Sequence, residues 1–132
     1  MALTENKPVK QVTGDFNDLP VAASTEIFEG AIVGLDASGD ARALQGGDTF
    51  VGHCTANVDN SDGVAGDRFV HVLTGRYRLE VELSGVAKTD VGGAVHASDD
   101  NTLNLIGTGT AVGTVARYVA TDTADVEFVP MA

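Results

Sequence analysis

From Arg76 to Leu83 the chain alternates without a fault, Tyr77, Leu79, Val81 and Leu83 falling on one side and Arg76, Arg78, Glu80 and Glu82 on the other. A period of two marks a strand with one dry face and one wet face, as an antiparallel sheet requires. Upstream, Phe69 to Thr74 is a second β-rich run. Gly75 between the two predicts a bulge or bend that keeps the strand going while re-aiming it. Ala111 to Ala120 and Ala124 to Val129 predict two more strands around a tight hairpin at Thr121-Asp122-Thr123. No window of helical length carries an apolar stripe at helical spacing. The nearest candidate is a single turn around Val86 to Val91, broken by Gly92-Gly93.

A longer pattern overlies these runs. Gly30 to Thr55 reads G-A-I-V-G-L-D-A-S-G-D-A-R-A-L-Q-G-G-D-T-F-V-G-H-C-T, and Gly93 to Ala116 repeats it loosely and in order. Leu44 matches Leu105, Gly46 matches Gly107, and Val51-Gly52 matches Val112-Gly113 at one constant offset. Only the polar turn differs, Asp36 to Asp40 being longer than Ser98 to Asn101, at the point where a hairpin tolerates insertion. The matched residues are glycines and apolar strand formers, so the repeated object is a folding unit of strand, polar turn, strand, glycine turn and strand. One such unit leaves a hydrophobic face and unpaired edges. Two together predict an all-β domain: a small antiparallel β-barrel or sandwich built from two similar strand-turn-strand units.

The first 28 residues differ in kind, and they divide the chain into an extended N-terminal arm, 1–28, and a β domain, 29–132. Lys7 to Thr13 has a short alternating pattern, but Gly14-Asp15, Asn17-Asp18 and Leu19-Pro20 break the chain beyond it. Such a segment reads as a frayed terminus, as a strand added to the domain's own sheet, or as an arm lying on a neighbouring molecule. In the last case Lys7, Val9, Lys10, Val12 and Phe16 are the contact residues, the valines and the phenylalanine serving as apolar anchors beside edge pairing.

Charge removes a class of partners. Eight basic against nineteen acidic residues give a net charge of -11, and the basic ones do not cluster, so nucleic acid and anionic membrane are excluded as expected partners. At 132 residues and 43% hydrophobic, the chain is expected to form one domain whose core stands without metal or disulfide staples. The lone Cys54 points to a reducing compartment, and neither a signal peptide nor a membrane span is evident, so a soluble protein made in the cytoplasm is expected.

Candidate chemistry is sparse. His53, His71 and His96 all fall in predicted strands without a second ligand at metal spacing. Cys54 follows His53 directly, which puts the two on opposite faces of a strand and separates a thiolate from its base. The stretch Gly107 to Gly113 has glycine spacing one residue off the dinucleotide fingerprint and leads into a strand. Asp36, Ser38 and Asp40, and Asp59, Asp62 and Asp67, resemble pieces of calcium loops without the glutamate or central glycine in register, and read as Asx turns. Asp99-Asp100 reads as a solvated turn. No catalytic, cofactor or metal site is expected, and the protein is expected not to be an enzyme.

The order of G-A-I-V-G-L-D-A-S-G at Gly30 to Gly39, F-V-G at Phe50 to Gly52, N-V-D-N at Asn57 to Asn60, G-V-A-G-D at Gly63 to Asp67, D-V-G at Asp90 to Gly92, A-S-D-D at Ala97 to Asp100, V-G at Val112-Gly113 and V-E-F at Val126 to Phe128 resembles the head decoration, or capsid cement, proteins of tailed bacteriophages. The resemblance covers about residues 28 to 130 and leaves the arm unmatched; family members often carry tyrosine where this chain has His96. It implies a small β domain without an active site, placed on the capsid exterior of the virion after assembly in the host cytoplasm. It further implies a homotrimer that binds the outer surface of the expanded head and cements neighbouring major capsid protein subunits against the pressure of packaged DNA. The rival expectation is a carbohydrate-binding or adhesion β module, which would display exposed aromatics, whereas Tyr77 and Tyr118 are both assignable to strand faces.

Overall fold

The computed structural model describes residues 4–6 and 15–130. In chain order the elements are β1 (Phe16–Pro20), β2 (Thr25–Ile27), β3 (Ile32–Leu35), β4 (Ala41–Ala43), β5 (Thr49–Cys54), β6 (Val58–Asn60), β7 (Phe69–Leu73), β8 (Tyr77–Glu82), a 3-10 turn (Lys88–Asp90), β9 (Ala94–Ala97), β10 (Leu103–Asn104), β11 (Thr110–Ala120) and β12 (Thr123–Phe128). They form an all-β, sandwich-like molecule of antiparallel sheets. The first sheet runs β1-β7-β5-β3-β4, the second β10-β9-β11-β12-β8, and β2 pairs with β6 as a separate ribbon. Neither large sheet closes on itself, which decides for a sandwich over a barrel.

The sequence repeat is a repeat of topology. Strands β4-β3-β5 of the first sheet correspond to β10-β9-β11 of the second. Each unit carries a bulge at the same place. In the first, Val33 pairs with Gly52 and Gly34 with Phe50, so Val51 is the extra residue; in the second, Val95 pairs with Gly113 and His96 with Ala111, so Val112 is. A bulge sharpens the local twist, and the repeated Val-Gly marks that kink in both sheets.

The two units stack facing the same way, and that sets their differences. One core lies between the large sheets: Ile32, Leu44 and Phe50 from the first meet Val95, Val112, Val115, Val126 and Phe128 from the second. A second core lies between the first sheet and the ribbon, joining Val33, Val51, Cys54, Val70 and Val72 to Val21 and Ile27. Strands β3 and β5 of the first sheet are therefore buried on both faces, and Ile32 and Phe50 fill a face whose counterparts in the second unit, Ala94 and Ala111, lie exposed. Gly75 (φ 76°) is where the chain leaves β7 in the first sheet and enters β8 in the second, so it separates two strands instead of bending one.

The division at residue 28 does not coincide with a break in packing. Phe16–Pro20 pairs with β7 along its length, Thr25–Ile27 pairs with β6, and Val21 and Ile27 are fully buried. Asn17, Asp18 and Pro20 do not interrupt this strand because it is an edge: polar side chains face water there, and the amide that proline lacks is not needed. The contact residues Lys7, Val9, Lys10 and Val12 lie outside the described residues. Phe16 lies within them, as the first residue of β1.

Candidate functional site

The titratable groups singled out in the sequence are placed apart. His53, on β5, lies buried between the large sheets, where its ring sits among Phe50, Tyr77 and Phe128 and its Nδ1 is 2.6 Å from the Tyr77 hydroxyl. Burial pushes its pKa down to about 4, and burial raises that of Tyr77 well above the phenolic range. Cys54 faces the other core, its thiol donating to the Ala56 carbonyl at 3.0 Å, and burial raises its pKa. A neutral imidazole and an un-ionised thiol on opposite faces of a sheet form no nucleophile and base pair.

The carboxylates serve the backbone. Asp36 Oδ1 accepts from the amides of Ser38 and Asp40, Asp59 Oδ1 from the amide and hydroxyl of Ser61, Asp67 Oδ2 from Val64, and Asp99 Oδ1 from Asn101 and Thr102. The bonds of Asp36, Asp59 and Asp99 to the amide two residues on are Asx turns, whereas Asp67 reaches back three residues to close its turn from the other end. Among the described residues no group of three His, Cys, Asp or Glu side chains is placed to hold a metal ion. Nor is any helix among them long and apolar enough to cross a membrane. Gly107 and Gly109 form a turn that leads into β11, with no helix N-terminus to meet a pyrophosphate.

Among the described residues the fold does present a face that no other element covers. At the β1–β7 end the first sheet extends beyond the shelter of the second, and Phe16, Asp18, Phe69, His71 and Leu73 share one side, opposite the buried Val70 and Val72. Phe16 is 46% exposed and Phe69 60%, values large enough to make the strip apolar to an approaching surface. The Phe16 ring stacks on His71 with centroids 5.0 Å apart, and His71 Nδ1 lies 2.8 Å from Asp18 Oδ1, so these side chains are held in position. Other exposed apolar residues, Phe28, Val64, Val91 and Ile106, stand singly on turns.

Of the predicted contact residues the structure thus describes Phe16, and it brings Phe69 and His71 to the same face. Phe69 is not among the contact residues expected from the sequence, although its signal is local. With Val70 and Val72 facing the core, strand periodicity alone puts Phe69 on the other side. The chain matches no protein-family model and no curated protein.

Proposed function

We propose that this protein is a structural component of a phage virion that binds the outer surface of the expanded head and cements neighbouring major capsid protein subunits, acting as a homotrimer. The observation that carries this reading is the Phe16–Phe69 strip, an ordered apolar face beside the point where the N-terminal segment joins the sheet. A two-sided sandwich core gives that face a rigid support, and the net charge of -11 suits a shell exterior facing away from packaged nucleic acid. Contacts of modest strength, repeated over a lattice and shared within an oligomer, hold firmly through multivalency. Lys7, Val9, Lys10 and Val12 then extend the contact from Phe16 by edge pairing with the shell or a neighbouring copy.

Co-sedimentation with expanded, DNA-free heads tests the proposal. Full-length protein is expected to pellet with the heads, and a variant lacking residues 1–14 to lose binding while keeping its melting transition, because β1 begins at Phe16. Failure of the full-length protein to bind heads at saturating concentration rejects the function. Undiminished binding by the truncated protein rejects the role of the arm alone.

The same exposed phenyl rings favour a second reading, a carbohydrate-binding or adhesion module, since aromatic faces flanked by polar groups such as Asp18 and His71 stack on sugars. A glycan-binding screen run beside the sedimentation separates the two.

A further inference from the structure

The second sheet ends on β8, whose outer side no strand of the described chain covers. Its backbone orientation follows from one bond. Leu83 N donates to Asp122 O at 2.8 Å, one step beyond the Glu82–Thr123 pair. Hydrogen-bonded and non-bonded pairs alternate along an antiparallel ladder. Tyr77, Leu79 and Val81 therefore turn their amides and carbonyls toward β12, and Arg78, Glu80 and Glu82 turn theirs to the open edge. The side chains show the same incompleteness. Ala124, Val126 and Phe128 on β12 are fully buried, whereas Tyr77, Leu79 and Val81 beside them are half-buried. Beside this edge lies a cleft of about 240 Å³ lined by Glu80, Val81 and Glu82 together with Ile32, Asp100 and Leu103.

Residues 76–82 read R-Y-R-L-E-V-E, and reversal about Leu79 exchanges every charge for its opposite. We propose that β8 is a two-fold interface at which a second copy of this chain adds its own β8 antiparallel, with Leu79 on the axis. In that register Arg76 faces Glu82 of the second copy, Arg78 faces its Glu80, Tyr77 faces its Val81, and Leu79 faces Leu79. The residues with outward backbone groups pair with one another, as the ladder demands. Sliding by two residues preserves the ladder but sets Glu80 against Glu80 or Arg78 against Arg78. Sliding by one mismatches the backbone. Parallel in-register pairing places every charge against its like.

Charged side chains on an edge strand ordinarily prevent such pairing. Here their antisymmetric order admits one partner in one register. Arg76 and Arg78 each already contact Glu127 of their own chain at 2.7 and 3.2 Å, and a guanidinium retains donors for a second carboxylate. The partner's two arginines also arrive where Glu80, Glu82 and Asp100 concentrate negative charge, which offsets part of the repulsion between two acidic copies. The interface requires no capsid, and as a two-fold contact at β8 it is separate from the three-fold contact proposed above, joining two copies whether these are single chains or members of two trimers.

Two permutations of the same four charges test it, both keeping the net charge of the chain. R76E/E82R leaves every cross-copy pair opposite in sign, and R78E/E82R makes every one of them alike. Sedimentation equilibrium from micromolar to millimolar protein, on variants shown to melt cooperatively, should find that wild type and R76E/E82R associate alike. R78E/E82R should associate more weakly by about tenfold or more. In addition, Leu79→Cys should form a disulfide-linked dimer on oxidation, because a non-bonded antiparallel pair brings Cα atoms to about 4.5 Å. A wild-type chain that shows only monomers or only trimers over the whole range, equal association by both permutations, or a Leu79→Cys protein that does not cross-link would overturn the proposal.

Discussion

Gly52 and Gly113 occupy the same position in the two sheets, and each lies against the backbone of the next strand, so that a Cβ at Gly52 would run into the Leu73 carbonyl and one at Gly113 into the Glu127 carbonyl. Each follows the bulged valine of its unit and sits where β7 or β12 crosses closest. Gly52 also has a φ of 139°, which a side chain disfavours.

Gly52→Ala and Gly113→Ala are both expected to destabilise the fold by more than about 2 kcal/mol, since backbone on both sides must shift. Gly46→Ala is the control. Its nearest neighbour, the Gly109 Cα, stands 3.9 Å from the added methyl, and the change should stay within about 1 kcal/mol. Urea denaturation of the three variants checks this, and equal effects would deny the close approach its importance.

The glycines and valines of the repeat were legible in the sequence because their constraint is local: a bulge and a close crossing require the same residues in both units. The looseness of the repeat has an equally physical source. Ile32 and Phe50 became large where a second sheet covers them, and Ala94 and Ala111 stayed small where none does. A burial partner distant in sequence cannot be read from strand periodicity. The same limit explains β1, whose Asn17, Asp18 and Pro20 argue against a strand until its edge position is known. It also explains the exposed face, since the alternation at Phe69 gives its side of the strand but not whether a sheet lies over it.

His53 makes the fold sensitive to mild acid. Its pKa falls from 6.5 in the unfolded chain to about 4 in the folded one, so between those values the unfolded state binds the extra proton. Stability from this residue is complete above pH 6.5 and is lost as the pH drops toward 4, by about 3 kcal/mol in all. His53→Gln keeps an acceptor for the Tyr77 hydroxyl and cannot titrate. The difference in unfolding free energy between wild type and variant should therefore change across this window and level off outside it; a pH-independent difference would place the titration elsewhere.

The Arg42–Asp48 pair ties β4 to the turn that precedes β5. Asp48 accepts from Arg42 Nε at 3.0 Å, from Nη2 at 2.7 Å and from the Gln45 amide at 3.1 Å. Burial raises its pKa, but the hydrogen bonds from Arg42 and Gln45 outweigh this and leave it below the ordinary carboxylate value. Its contribution is thus present at neutral pH and lost as the pH falls through that lowered value, below 3.8. Asp48→Ala should cost about 1–3 kcal/mol and Asp48→Asn less, because the amide oxygen can still accept from Gln45. Thermal melts at neutral pH decide this; because Asn keeps the volume that packs against Gly34, equal losses would assign the whole effect to the charged pair with Arg42 and none of it to the Gln45 bond.

If the protein binds heads as proposed, the exposed strip separates folding from binding. Phe16 and Phe69 keep about half their surface in water, so their replacement removes little core. The stack of Phe16 on His71 is the main loss, about 0.5–1.5 kcal/mol. Aromatic residues at the centre of an interface, by contrast, often contribute about 2 kcal/mol or more each to binding. The F16S/F69S variant should therefore melt close to wild type yet bind expanded heads at least about thirtyfold more weakly. Titration of labelled protein onto heads, read beside a melting curve, measures both quantities. Unchanged affinity in a folded variant would remove this face from the contact, and the capsid-binding surface would have to be sought among the turns that carry Phe28 and Ile106.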